Sequence, residues 1–189
     1  FAFARENDGQ PAADRRAVES AGLLADQLLQ AGKALVLHGF IDLQVNGGGG
    51  HLVSGTTTAA DLATVCTAHR ALGTAGVLPT LITDTAEATA QVIAAGRAAI
   101  GTPGFLGLHL EGPHLDPRRK GAHDPALIRP MGAADLARLC DAAQALPALM
   151  VTLAPESTTP EQIATLTMAG AVVSLGHSDC SFDVAQAAF

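Results

Sequence analysis

Two residues able to hold a positive charge stand at the ends of apolar runs. Glu111 closes "GFLGLHLE" (104–111), with Gly112 and Pro113 directly behind it, and His177 closes "AVVSLGH" (171–177). A carboxylate and an imidazole that converge make half of a site for zinc or another divalent ion. A catalytic zinc normally has three protein ligands and one open position, so two residues alone are too few. Kept apart, the same pair is an exposed strand-end acid and an ordinary histidine. The fold must therefore decide whether these two strand ends meet.

Other residues bear on the same chemistry. His123, in "KGAHDP", lies in the long loop behind Glu111. It is either a solvated loop histidine or an imidazole that polarises a substrate carbonyl beside a metal. Asp42, Gln44 and Asn46 alternate on the first apolar run and share one face by the period of two. Amides are poor zinc ligands compared with imidazole, so Gln44 and Asn46 predict a single-metal site, or else amides that hydrogen-bond loop backbone. His114 is expected as a wall residue without a catalytic role, and Cys180 as an inert small residue. The basic trio Arg118, Arg119 and Lys120 reads as a solvated loop, with a weaker prospect of contacting an anionic substrate.

The elements that would position these residues alternate along the chain. Strand-length apolar runs cover 34–45, 76–83, 104–111, 148–156 and 171–177. Between them, helical spacing covers 58–73, 85–100, 132–146 and 159–170. In the first helical stretch Leu62, Val65, Cys66 and His69 recur at i, i+3, i+4 and i+7. Thr58 with Asp61, and Thr159 with Gln162, have the spacing of capping boxes. Strands that are apolar nearly throughout predict a parallel sheet covered on both faces, built from successive βα units. Polar residues end one strand after another: Thr83 and Asp84, His109 and Glu111, Glu156, and Ser174 to Asp179. A barrel collects all its strand C-termini at one face, whereas an open sheet places its functional loops at one switch point. The expected fold is thus an α/β, TIM-type (β/α)₈ barrel, with only about five βα units in this chain.

Composition narrows the function classes. The chain has 189 residues, 48% hydrophobic and 15% charged, enough for a sizeable core in one domain. The net charge of −7 argues against a nucleic-acid surface and a polybasic membrane patch. Trp and Tyr are absent, which removes base-stacking platforms. The three cysteines form no CxxC pair, which suits a reducing cytoplasm. No membrane span or signal peptide is visible.

The segments "GFIDLQVNGGGG", "LPTLITD", "GLHLEGPHLDPRRKGAHDP", "VTLAPE" and "SLGHSD", in this order, resemble the N-acetylglucosamine-6-phosphate deacetylase family of the amidohydrolase superfamily. The resemblance runs from about residue 38 to the end, and "HLEGP…KGAH" is its specific part. It implies metal-dependent hydrolysis of the N-acetyl group of N-acetylglucosamine 6-phosphate, with a divalent ion, zinc first and iron, cobalt or manganese also fitting. By motif, Glu111 and His177 match two metal ligands. Gln44 and Asn46 match a variant that lacks the second metal. Ala122 and His123 match a substrate-contacting pair, with His123 helping to polarise the acetamide carbonyl. The family's third ligand, its acid/base Asp and its phosphate-binding Arg and His are expected beyond Phe189. A homodimer is also implied. Residues 1–37 occupy the position of a small β-sandwich that is not recognisable here, and 38–189 read as an incomplete barrel, inactive by itself. His38 stands where the motif usually has Pro. The competing expectations are another amidohydrolase acting on a different amide, and an inactive barrel fragment serving as a binding module.

Overall fold

The computed structural model describes residues 39–188. The expectations for residues 1–37 and for His38, and the beginning of the first predicted strand, lie outside the described residues. The remaining predicted elements all form. Strand β1 (Phe40–Val45) is followed by a short hairpin, β2 (Gly47–Gly48) and β3 (His51–Leu52), which the sequence reading did not anticipate. Then come α1 (Ala59–Ala71), β4 (Thr74–Ile82), α2 (Ala86–Ala98), β5 (Leu108–Glu111) and α3 (Ala133–Ala145). The chain continues through β6 (Leu149–Leu153), α4 (Pro160–Met168), β7 (Val172–Leu175) and α5 (Phe182–Ala187).

Helix starts follow from local chemistry. Both expected capping boxes form, Thr58 with Asp61 and Thr159 with Gln162. Each box satisfies backbone N–H groups that the first turn leaves without partners. Leu62, Val65 and Cys66 bury the predicted stripe of α1. Burying a side chain of Leu or Val size contributes roughly 1.5–3 kcal/mol. His69, the last member of that stripe, is only half-buried. Its Nε2 lies 3.0 Å from the Gly47 carbonyl, which ties the hairpin to α1.

The larger sheet has five parallel strands in the order β1-β4-β5-β6-β7, so every βα step moves in the same direction. A doubly wound sheet would reverse direction at a switch point, and none occurs among the described residues. The arrangement is that of a partial (β/α) barrel.

The strand faces differ from the expectation of nearly continuous apolarity. On β5, Leu108 and Leu110 face the helices, and alternation sends His109 and Glu111 to the opposite, interior face. There a polar row crosses three strands. Thr80 Oγ1 is 3.2 Å from His109 Nδ1, and His109 Nε2 is 2.8 Å from Thr152 Oγ1. The row tolerates burial because its polar atoms are paired. At the sheet edge, Phe40, Ile41 and Leu43 of β1 are exposed, as is Val172 of β7. No helix among the described residues is long and apolar enough to cross a membrane.

Candidate functional site

Glu111 is buried at the C-terminal end of β5, and His177 follows β7, so the fold brings the two predicted residues together. His177 Nε2 lies 3.0 Å from Glu111 Oε1. The histidine's other nitrogen, Nδ1, lies 2.9 Å from the Arg119 carbonyl, which can only accept. Nδ1 therefore carries a hydrogen, and in the neutral ring Nε2 presents its lone pair to the carboxylate. Two lone-pair atoms facing each other require a cation between them, either a second proton on the ring or a metal ion. An imidazole that donates its other N–H to a backbone carbonyl is the usual arrangement of a metal ligand.

The backbone at this point is unusual. His177 has φ 50°, the left-handed region, and no other non-glycine described residue has a positive φ. Such strain persists where surrounding structure holds it, and it concentrates at functional sites. Here the Asp116 N–H donates to the His177 carbonyl at 2.9 Å, while His177 donates back to Arg119. Gly121 completes the cradle, since a Cβ there would stand 3.3 Å from His177 Cε1.

Gln44 reaches the same carboxylate. Its Nε2 donates to Glu111 Oε2 at 2.9 Å, which leaves Oε1 to face the histidines. Gln44 thus acts as a neutral anchor for the acid. Asn46 lies one residue past the end of β1, and its carbonyl accepts from Val53 N–H at 2.9 Å. The register irregularity between Asp42 and Val45 interrupts the simple alternation that predicted one shared face.

His123 is buried, not solvated, and its Nε2 is 3.7 Å from Glu111 Oε1. Its ring meets that of His177 edge-on, with centroids 4.5 Å apart. Burial, chiefly, lowers its pKa, which favours the neutral ring. Its Nδ1 accepts from the Thr83 N–H at 3.3 Å, so the neutral ring carries its hydrogen on Nε2. Ligand atoms of Glu111, His123 and His177 all lie within 4.8 Å of one another. The donor chemistry separates them: Glu111 and His177 offer lone pairs, whereas His123 offers an N–H. A carboxylate oxygen and an imidazole nitrogen fit a divalent ion such as zinc, iron, cobalt or manganese. Ala122 is exposed beside His123.

The basic trio is exposed, as expected of a solvated loop, and both of its arginines are ion-paired. Arg118 pairs with Asp116 at 2.6 Å and lies 3.4 Å from Asp179 and 3.6 Å from Glu156. Arg119 pairs with Asp179. Acids that are distant in the sequence converge on this loop and bind both arginines. Glu156 also accepts from Ser178 Oγ and from the Asp179 N–H, at 2.8 and 2.7 Å. His114 is a buried wall residue, with Nδ1 3.1 Å from the Arg129 carbonyl. Cys180 stands outside the ligand cluster.

A parallel sheet wound in one direction, with an acid–imidazole pair at its C-terminal mouth, defines part of a (β/α) barrel with a candidate metal centre. No family model matches the chain. It is 46% identical over 143 residues to N-acetylgalactosamine-6-phosphate deacetylase of Shewanella sp. (strain ANA-3), covering 75% of this chain and 36% of the relative. It is 34% identical to N-acetylglucosamine-6-phosphate deacetylase of Haemophilus influenzae, covering 80% of this chain and 40% of the relative. The crystal structure of N-acetylglucosamine-6-phosphate deacetylase from Pasteurella multocida superposes with TM-score 0.74 at 36% identity, over 79% of this chain and 40% of that one. The chain belongs to the N-acetylglucosamine/N-acetylgalactosamine-6-phosphate deacetylase family, and it spans about two-fifths of the length of the curated relatives it matches.

Proposed function

We propose that the described residues carry part of the centre of a divalent-metal amidohydrolase. Its substrate is an N-acetylhexosamine 6-phosphate, and its products are acetate and the amino sugar phosphate. The observation that carries the reading is the facing pair of lone-pair atoms, Glu111 Oε1 and His177 Nε2, 3.0 Å apart. In this reading Glu111 and His177 are metal ligands and zinc is the first candidate ion. The bound ion would act as a Lewis acid toward the acetamide carbonyl and would lower the pKa of a water.

The chain's own residues do the rest of the positioning. Gln44 holds Glu111 Oε2 by a 2.9 Å hydrogen bond and fixes which carboxylate oxygen faces the site. His123, as a neutral ring with its hydrogen on Nε2, donates to the acetamide oxygen as charge develops there. Ala122 borders the substrate beside it. A carboxylate acting as general base would take the water's proton and return it to the leaving amine.

The test is acetate release by the full-length protein after reconstitution with zinc, iron, cobalt or manganese. N-acetylglucosamine 6-phosphate, N-acetylgalactosamine 6-phosphate and the two unphosphorylated sugars are offered in parallel. Both C4 epimers are included because relatives of both names match the chain. We expect a preference of about 100-fold or more in kcat/KM for a phosphorylated sugar, since charge-assisted contacts to phosphate discriminate strongly. Equal turnover without the phosphate, or no release with any of the ions, would overturn the reading.

A further inference from the structure

We infer that Thr83 is a positioning residue that fixes the tautomer of His123, so that the imidazole always presents Nε2–H to the reacting groups. The inference rests on the deacetylase reading for its consequence and on the geometry of Thr83 for its cause. Thr83 follows β4 directly and is buried. Its N–H points at His123 Nδ1 from 3.3 Å, and its Oγ1 lies 2.8 Å from the same nitrogen. A hydroxyl can rotate to donate or accept, but a backbone N–H can only donate. A hydrogen on Nδ1 would set two N–H groups against each other in a buried place, where an unmade hydrogen bond is costly. With Nδ1 as acceptor, the Thr83 N–H donates to it, the hydroxyl's single hydrogen is shared between this nitrogen and the more distant Glu111 carbonyl, and the neutral ring keeps its hydrogen on Nε2.

The end of β5 is shaped for this contact. Gly112 has φ 86°, and a Cβ there would meet Thr83 Oγ1 at 2.2 Å. Only the absence of a side chain lets the hydroxyl stand between the Glu111 carbonyl, 3.4 Å away, and the His123 ring. Thr83 therefore braces the ring at Nδ1, while Nε2 faces the Glu111 carboxylate. The consequence is a division of labour. Nε2 is a donor toward the substrate carbonyl and is not available as a third ligand lone pair.

The experiment is histidine-selective ¹⁵N NMR of the full-length protein, with the His123 signals assigned by their loss in His123→Gln. Wild type, Thr83→Val and Thr83→Ser are compared, and acetate release is measured on the same samples. In the wild type, Nδ1 should resonate as an unprotonated nitrogen and Nε2 as a protonated one. Thr83→Val keeps the backbone N–H and so the tautomer, but the lost hydroxyl contact should shift the Nδ1 signal. It should also lower kcat about tenfold, the rate equivalent of one hydrogen bond, with KM nearly unchanged. Thr83→Ser should restore the signals and the rate. An Nδ1–H tautomer in the wild type, or a Thr83→Val protein with unchanged signals, overturns the inference. Expected signals without acetate release from any amino sugar phosphate would support the role of Thr83 while removing the deacetylase reading.

Discussion

Glu111 and His177, 66 residues apart in sequence, meet with Oε1 and Nε2 3.0 Å from each other, and each has its other polar atom already committed. Gln44 holds Glu111 Oε2 and the Arg119 carbonyl holds His177 Nδ1. The two free atoms converge on one point, which a divalent cation would fill. Glu111→Gln keeps the side chain's size but removes its charge. After dialysis against metal-free buffer, the variant should retain about a tenth or less of the wild-type metal per chain, a loss at least as large as that from removing an outer-shell partner. Metal content by mass spectrometry checks this, and full occupancy would exclude Glu111 as a ligand.

His123 makes the contrasting case. If its Nε2 is a hydrogen-bond donor, deleting the ring should remove transition-state stabilisation and leave the metal in place. His123→Ala is expected to lower kcat by about 10²–10³, the usual effect of losing one oxyanion donor. Metal per chain should equal that of the wild type. A metal loss comparable to that of Glu111→Gln would make His123 a ligand instead.

The sequence revealed much of this arrangement because strand and helix signals are local. Capping pairs at Thr58 and Thr159 and the apolar runs placed most elements close to their observed ends. Glu111 and His177 stood out as polar residues closing apolar runs, and the barrel inference put them on one face. The short hairpin at Gly47–Leu52 escaped because two-residue strands carry no periodicity. The Thr83–His123 contact spans 40 positions and depends on side-chain rotamers, which no spacing rule encodes. The ion pairs of the exposed Arg118 and Arg119 were not legible because their acidic partners Glu156 and Asp179 arrive from other loops. The left-handed φ of His177 was equally invisible, since nothing in "SLGHS" demands it.

The arginine network predicts an effect on metal affinity without one on stability. Asp116 is buried and bonded to Arg118, which chiefly holds its carboxyl below the usual range. Arg118 is 63% exposed, so the ion pair itself is screened and adds little to folding. Yet Asp116 begins the turn whose backbone grips His177 from both sides. Asp116→Asn should weaken metal binding about tenfold, as outer-shell changes do. Its urea midpoint should stay near the wild-type value. Competition with a chelator measures the first quantity and urea titration the second. Unchanged affinity would mean that the turn holds His177 without help from this side chain.

His114 predicts how stability depends on pH. It is almost wholly buried, and burial, as the largest influence, lowers its pKa below the ordinary 6.5; the neighbouring Arg129 charge acts in the same direction, while the Arg129 carbonyl and Asp135 oppose it. The folded state therefore binds its proton less readily than the unfolded state. Stability contributed by the neutral ring is complete above pH 6.5 and is lost as pH falls through the lowered folded value. Ordinary carboxylates titrate near 4, below most of this window. His114→Asn keeps a donor for the Arg129 carbonyl and removes the titrating ring. The wild type should lose urea resistance as pH falls below 6.5, and the variant should lose measurably less. Parallel curves for the two proteins across that range would show that His114 does not supply the dependence.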